Sequence, residues 1–305
     1  MHCPLCFLGQ RQGRNFGLGE MPFATVRAAI GNALKEGLRE VIPSTMGEPL
    51  LYSHFFELLE LCVASGVPVN LTTNGSFPGT WGTEQGMRRL LRACRDIKVS
   101  CMGFSEESFS EMMPGGNFSR WKSNVEKLVA LADARPADCE SAFESPCSVL
   151  PCTVSLQVTL HRKNAGEALD LLRWAESVGI SRIKWNPAVF LSTAPAELVS
   201  RYALGEDELR NLRQVIRSDK LRCEGSLFFT LDASSVAPDM PSGAPSAASY
   251  GADAPDFCPF DEELWVLPDG SIQHCPNPER RYGDPAAPAA QCSRCAMRLA
   301  PRRNL

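Results

Sequence analysis

Residues 53–75 read SHFFELLELCVASGVPVNLTTNG, a helix, a strand and a turn in succession. Residues 53–65 have helical spacing and stop at Gly66, a residue type suited to the left-handed step that ends helices. Val69 to Thr72 then reads as a strand that leaves through Asn74-Gly75. The same unit recurs on both sides. Before it, residues 23–36 predict a helix ended by Gly37, and Arg39 to Ile42 predicts a short strand. After it come a helix over 83–95, a strand from Ile97 to Cys101, and a helix from about Trp121 to Ala132. A strand from Thr153 to Leu160 follows. Asn164-x-x-Glu167 then has the form of a capping box, opening a helix that runs to Val178 before the strand Ile183–Trp185. Strands alternating with helices predict an α/β fold with a parallel sheet and outer helices, open or barrel-like.

Two composition breaks divide the chain. About residues 134–151 lack periodicity and are rich in Ser, Pro and Ala, so they read as a loop inserted in a core spanning residues 1–232. Residues 233–256 are nearly all Ala, Ser, Pro, Gly and Asp, the composition of a flexible linker. Residues 257–305 then form a small module. In it Glu263–Leu267 and Ser271–His274 flank Asp269-Gly270, the signature of a β-hairpin.

Composition narrows the function. The net charge of −4 lacks the basic excess of a nucleic-acid binder, and no run approaches the roughly 18 apolar residues of a membrane span. Met1-His2-Cys3-Pro4 is not the start of a secretory signal, so a cytoplasmic location is expected. Thirteen cysteines are then notable, because reducing compartments disfavour disulfides and clustered thiols there hold metal or react. Cys3 and Cys6 form one CxxC, and Cys292 and Cys295 another, with Cys258 and Cys275 upstream. Cys62 and Cys101 lie in apolar segments and read as small core hydrophobes. The hairpin would bring Cys258 and Cys275 together, and the Cys292–Cys295 pair could close a four-thiolate site. Thiolates select zinc or iron–sulfur clusters, and ligand count alone favours a structural zinc.

The order of short motifs resembles the radical S-adenosylmethionine (SAM) superfamily. Cys3-Pro4-Leu5-Cys6 is similar to the second half of that family's CxxxCxxC motif. Met46-Gly47-Glu48-Pro49-Leu50 resembles its GGEPL loop, Thr72-Thr73-Asn74-Gly75 its TNG segment, and Val99-Ser100-Cys101-Met102-Gly103 its fourth-strand segment. The spacing Cys258-x11-Gly270-x4-Cys275 is similar to the opening of the SPASM or twitch extension. The resemblance implies a partial (β/α)6 TIM-like barrel whose first strand would precede Cys3, with a small C-terminal Cys-rich hairpin domain at 257–305.

The resemblance also implies chemistry. A 4Fe-4S cluster held by Cys3, Cys6 and a third cysteine four residues before Cys3 would bind SAM at its open iron. That position precedes Met1, so the sequence is expected to start inside the motif. The SAM site would draw on Leu5 near the adenine, the Gly47–Glu48 loop at the methionine amine, and Thr73, Asn74, Ser100 and Gln157 at strand ends. Beside such a barrel, Cys258, Cys275, Cys292 and Cys295 are expected to hold one auxiliary 4Fe-4S cluster rather than zinc. The expected activity is reductive cleavage of SAM and hydrogen abstraction from a peptide or a small alcohol, with an electron donor such as flavodoxin or ferredoxin. Two departures stand out: Met46 replaces the first glycine of GGE, and Met102 the fourth-strand aspartate. The alternative is a non-catalytic or degenerate barrel protein with a structural zinc site of four cysteines.

Overall fold

A computed structural model describes residues 3–7, 19–43, 47–134, 151–228 and 263–273. Its helices are α1 (Phe23–Lys35), α2 (Phe55–Ala64), α3 (Glu84–Ala93), α4 (Glu106–Met112), α5 (Phe118–Asp133), α6 (Ala168–Ser177), α7 (Ala196–Tyr202) and α8 (Glu206–Val215). The main sheet contains β1 (Val69–Thr73), β2 (Cys94–Cys101), β3 (Thr153–Leu160), β4 (Arg182–Pro187) and β5 (Arg222–Glu224). These five strands are all parallel and lie side by side in chain order. Parallel neighbours need crossovers, and each crossover here carries at least one helix. Because strand order never reverses among the described strands, they are wound in one direction with no switch point among them. Functional groups in such sheets gather at the carboxyl ends of the strands.

The helices cover one face. Leu71, Ile97, Val99, Leu156, Ile183 and Trp185 point into it and are fully buried against α3 and α5 residues such as Leu90 and Leu128. Each such side chain is worth about 1.5–3 kcal/mol of transfer free energy. Helix α3 shows how the pattern works: Met87, Leu90 and Leu91 face the sheet, whereas Arg88, Arg89 and Arg92 face water. Thr83 starts it by accepting from the Gly86 N–H at 3.1 Å. The other face of the sheet is polar, because the alternate residues Asn70, Asp96, Lys98, Ser155, Arg182 and Lys184 lie on it and bond across strands.

Several sequence expectations change. The strand predicted at Arg39–Ile42 narrows to one parallel bridge, Val41 to Val69. The helix predicted over 83–95 ends at Ala93, since Cys94 is already extended and opens β2. The helix expected from Trp121 begins at Phe118, where Asn117 Oδ1 accepts from the Arg120 N–H at 2.7 Å. Strand β5 has no counterpart among the expected strands, since only three residues of it pair. The Asn164 capping box does not form. Asn164 Oδ1 instead accepts from the His161 N–H at 2.8 Å, and its amide donates to the Thr159 and Met102 carbonyls at 2.9 and 3.2 Å. Glu167 turns away to accept from the Phe104 N–H, Ser105 Oγ and Ser108 Oγ at 2.7, 2.6 and 2.8 Å, pinning the start of α4. The expected hairpin is present as β6 (Trp265–Val266) and β7 (Ile272–Gln273), antiparallel. Residues 257–262 and 274–305 lie outside the described residues.

Candidate functional site

Three loops meet at the carboxyl ends of the strands. The first is the turn holding Cys3 and Cys6, closed by the Cys6 N–H donating to the Cys3 carbonyl at 3.0 Å. Cys3 Sγ lies 3.4 Å from Met102 Sδ, just past β2. Leu5 is buried in a small cluster with Met112 and Tyr202, which anchors the turn on α4 and α7. Leu5, expected near an adenine, is thus occupied by protein contacts.

Met102 is itself held in place. His161 Nε2 lies 2.7 Å from the Met102 carbonyl, to which Asn164 also donates. The Lys163 N–H donates to His161 Nδ1 at 3.2 Å, so the ring is the neutral Nε2–H tautomer. Burial, opposed in part by the Met102 bond, keeps the imidazole pKa below its ordinary value and favours that neutral form. Nothing in the local sequence marks His161 for this role, since its partner lies 59 residues away.

The second loop carries Gly47 and Glu48. Gly47 has φ +87°, and Glu48 leads into a short 3-10 turn, Pro49–Leu51. The Glu48 carboxylate accepts from Thr73 Oγ1 and the Asn74 N–H, both at 2.7 Å, and from the Leu50 N–H at 3.3 Å. It therefore braces the loop against the end of β1. Burial pushes its carboxyl above the ordinary 4.5, with the Asn74, Thr73 and Leu50 bonds offsetting part of the rise. The folded protein thus binds this proton more tightly than the unfolded chain does. The stability Glu48 contributes is complete below about 4.5 and is lost as pH rises through the raised value. Urea unfolding at pH values from about 4 to 7 should show wild type losing ground against Glu48→Gln as pH rises. A difference that stays flat or grows would refute this.

The third loop is the turn after β1. Thr73 is buried and accepts from the Gly75 N–H at 3.3 Å. Asn74 Oδ1 accepts from the Ser76 N–H at 2.8 Å. Asn124, on α5, donates to the Gly75 and Ser76 carbonyls at 3.0 and 3.3 Å. Asn124 carries no sequence signal, because its role depends on where α5 packs.

Ser100 and Gln157 are register partners on the polar face, one pleat inside Met102. Their side chains are half-buried. The structure therefore gathers Cys3, Cys6, Gly47, Glu48, Thr73 and Asn74 at one end of the sheet, with Ser100 and Gln157 just inside it. Cys258, Cys275, Cys292 and Cys295 lie outside the described residues.

The Cys3–Cys6 turn is the local candidate for holding a cluster. Burial, reinforced by the nearby Cys6, pushes the Cys3 thiol to about 11 despite backbone donors. Such a thiol stays protonated at neutral pH unless a metal replaces the proton. Two thiols in one turn fit two of three protein positions on a cluster with an open iron. Among the described residues no group of three or more His, Cys, Asp or Glu forms a metal site. The remaining described thiols differ: Cys62 and Cys101 are buried in the core, as expected of small hydrophobes.

Residues 1–132 match the family model of the Radical SAM superfamily. That segment includes Cys3, Cys6, Gly47, Glu48, Thr73, Asn74 and Ser100 but not Gln157, and ends within α5. A comparison with curated proteins gives no match. Among solved structures, Streptococcus suis SuiB bound to S-adenosylmethionine matches with a TM-score of 0.57 at 15% identity, over 90% of this chain. SuiB bound to its precursor peptide SuiA matches at 0.55 and 15%, and SuiB alone at 0.58 and 14%. The chain spans about 57% of the length of SuiB. At these identities the likeness is one of fold, a parallel α/β sheet. Among the described residues no helix is long and apolar enough to cross a membrane.

Proposed function

We propose, from the radical SAM domain matched over residues 1–132, that this chain is the core of a radical SAM enzyme acting on a peptide. The observation that carries the reading is the convergence of the Cys3–Cys6 turn, the Gly47–Glu48 loop and the Thr73–Asn74 turn on the carboxyl ends of β1 and β2. Cys3 and Cys6 would hold two corners of a 4Fe-4S cluster. When bound, that cluster supplies the electron that cleaves SAM reductively. The chain's own part is binding, orientation and shielding. The Gly47 backbone, free of a Cβ, allows close approach of an ammonium, and a cation there would offset the burial of the Glu48 carboxylate. Glu48, Thr73 and Asn74 would act as the frame of that loop rather than as direct ligands. Ser100 and Gln157 remain available to the polar groups of SAM, and Met102 shields the Cys3 side from water.

The substrate class rests on SuiB, a shared fold solved with a precursor peptide. We place the core at residues 1–232 and the auxiliary domain at 257–305. Cys258, Cys275, Cys292 and Cys295 would hold one auxiliary 4Fe-4S cluster there, and flavodoxin or ferredoxin would supply electrons in the cytoplasm. The test is anaerobic reconstitution of the chain extended so that a cysteine stands four residues before Cys3. Brown protein absorbing near ~400 nm and forming 5′-deoxyadenosine from SAM is expected. Colourless protein holding one zinc and leaving SAM intact would overturn the reading in favour of the structural zinc alternative.

A further inference from the structure

Among the described residues, the polar face of the sheet carries more positive charge than it neutralises. Four cations lie on β2, β4 and β5: Lys98, Arg182, Lys184 and Arg222. Among the described residues two carboxylates pair with them. Asp96 pairs with Arg182 at short range and stands 3.9 Å from Lys98. Glu224 is shared by Arg222 at 2.9 Å, Lys184 at 3.5 Å and Arg182 at 3.6 Å. Glu40, whose charge also reaches Lys98, is taken by Arg95 at 2.7 Å. This surplus is local, since the whole chain has a net charge of −4.

Donor capacity is left over as well. Arg182 Nε is buried and has no hydrogen-bond partner among the described residues. Among the described residues Lys184 Nζ, an ammonium with three hydrogens, has only the Glu224 oxygen at 3.5 Å. Lys98 donates to Asn70 Oδ1 at 2.5 Å, yet burial and then the charge of Lys184 press its pKa below the ordinary 10.5. Partly buried cations set beside one another cost free energy that an anion between them would recover.

The position of this charge gives it a use. Lys184 is the register partner of Gln157, which pairs with Ser100. It therefore lies in the row one pleat inside Met102 and two strands from it, about 10 Å across the sheet. A group bound there would lie on the same face of the sheet as Met102, which Cys3 meets, without occupying that contact.

We infer that Lys184, with Arg182 and Lys98 beside it, binds the side-chain carboxylate of an acidic residue in the peptide substrate. The inference rests on the radical SAM reading and adds the feature by which the peptide would be recognised. The carboxylate would take the spare donors of Lys184 and Arg182 and balance the surplus charge. Its peptide would extend over the sheet toward the strand ends of β2.

The full chain, extended so that a cysteine stands four residues before Cys3, would be titrated with two tripeptides blocked at both ends, acetyl-Ala-Glu-Ala-amide and its Gln counterpart, and separately with SAM after reconstitution. The Glu peptide is expected to bind about tenfold more tightly, from charge-assisted hydrogen bonds. Lys184→Met should erase that preference, and Lys184→Arg, which keeps the charge, should retain most of it. SAM affinity should move less than about twofold in either variant, each checked for native circular dichroism. Equal binding of the two peptides, binding of neither, or a preference that survives Lys184→Met overturns the inference. So does a fall in SAM affinity in Lys184→Met, which would assign the cations to SAM. Failure of the chain extended to carry a cysteine four residues before Cys3, with Lys184 unchanged, to bind or cleave SAM when reconstituted would sink the radical SAM reading instead, an outcome read independently of the peptides.

Discussion

Cys6→Ala is expected to abolish SAM cleavage. In a chain extended to carry a cysteine four residues before Cys3, the substitution should lower 5′-deoxyadenosine formation by about 10³-fold or more and remove the iron of one cluster. The argument begins with the turn. The Cys6 N–H donates to the Cys3 carbonyl, which sets both side chains on one short loop at the strand ends. Cys3 is desolvated enough that its thiol rises to about 11, so a lone Cys3 would be a poor anion and a poor ligand. Binding by several thiolates at once offsets that cost, and losing Cys6 removes the cooperative partner. Cys62→Ala is the matched control. Cys62 is fully buried in the main core, so its loss should lower stability by about 1–2 kcal/mol while iron content holds. Iron and cleavage that persist in Cys6→Ala would dismiss the Cys3–Cys6 turn as the cluster site.

The largest stability effect is expected at Gly225. It follows β5 with φ +112°, a region nearly closed to residues with a Cβ. A Cβ there would stand 2.4 Å from the Trp185 carbonyl oxygen and 2.6 Å from its nitrogen. Both contacts are backbone atoms of β4, so no rotamer change relieves them. Accommodation would have to separate β5 from β4 or lift Trp185, which is fully buried. Strain of about 1–3 kcal/mol and overpacking of similar size together give a loss of about 3–4 kcal/mol for Gly225→Ala. That corresponds to a fall of about 10 °C in Tm. Gly31→Ala should do the reverse. Gly31 lies inside α1 with nothing within 4 Å of the new Cβ, and alanine should stabilise by about 0.5–1 kcal/mol. Thermal unfolding of the two variants with wild type checks both signs, and equal Tm values would contradict the account.

Much of the scaffold was legible because its signals are local. Helices α1, α2 and α6 end before Gly37, Gly66 and Gly179 within a residue or two of the expected places. Strands β1 to β4 follow apolar alternation. The signal failed where the pattern was short or shared. Arg39–Ile42 alternates like a strand but has one bridge to offer, and β5 pairs over only three residues. Lys98, Arg182 and Lys184 were readable in principle, as charges at every second position of strands whose other face is apolar. Only the register between strands shows that they face one another.

Site residues divide in the same way. The Cys3–Cys6 spacing, the Gly47–Glu48 loop and the Thr73–Asn74 turn stand in the sequence as residue types at fixed offsets. What each side chain does is decided by partners far along the chain. Glu48 meets Thr73 and Asn74 across 25 and 26 positions, and its carboxylate becomes a brace. Asn164 and Glu167 look like one capping box, yet they bond to Met102 and to Ser105 and Ser108, about 60 positions away. The sequence by itself determined the alternation of helices and strands and the order of the motifs, because backbone propensity and apolar period act over a few residues. Only the tertiary structure decided which polar atoms are satisfied, which are left over and where charge accumulates, because those follow from the parallel register that brings distant strands to one face.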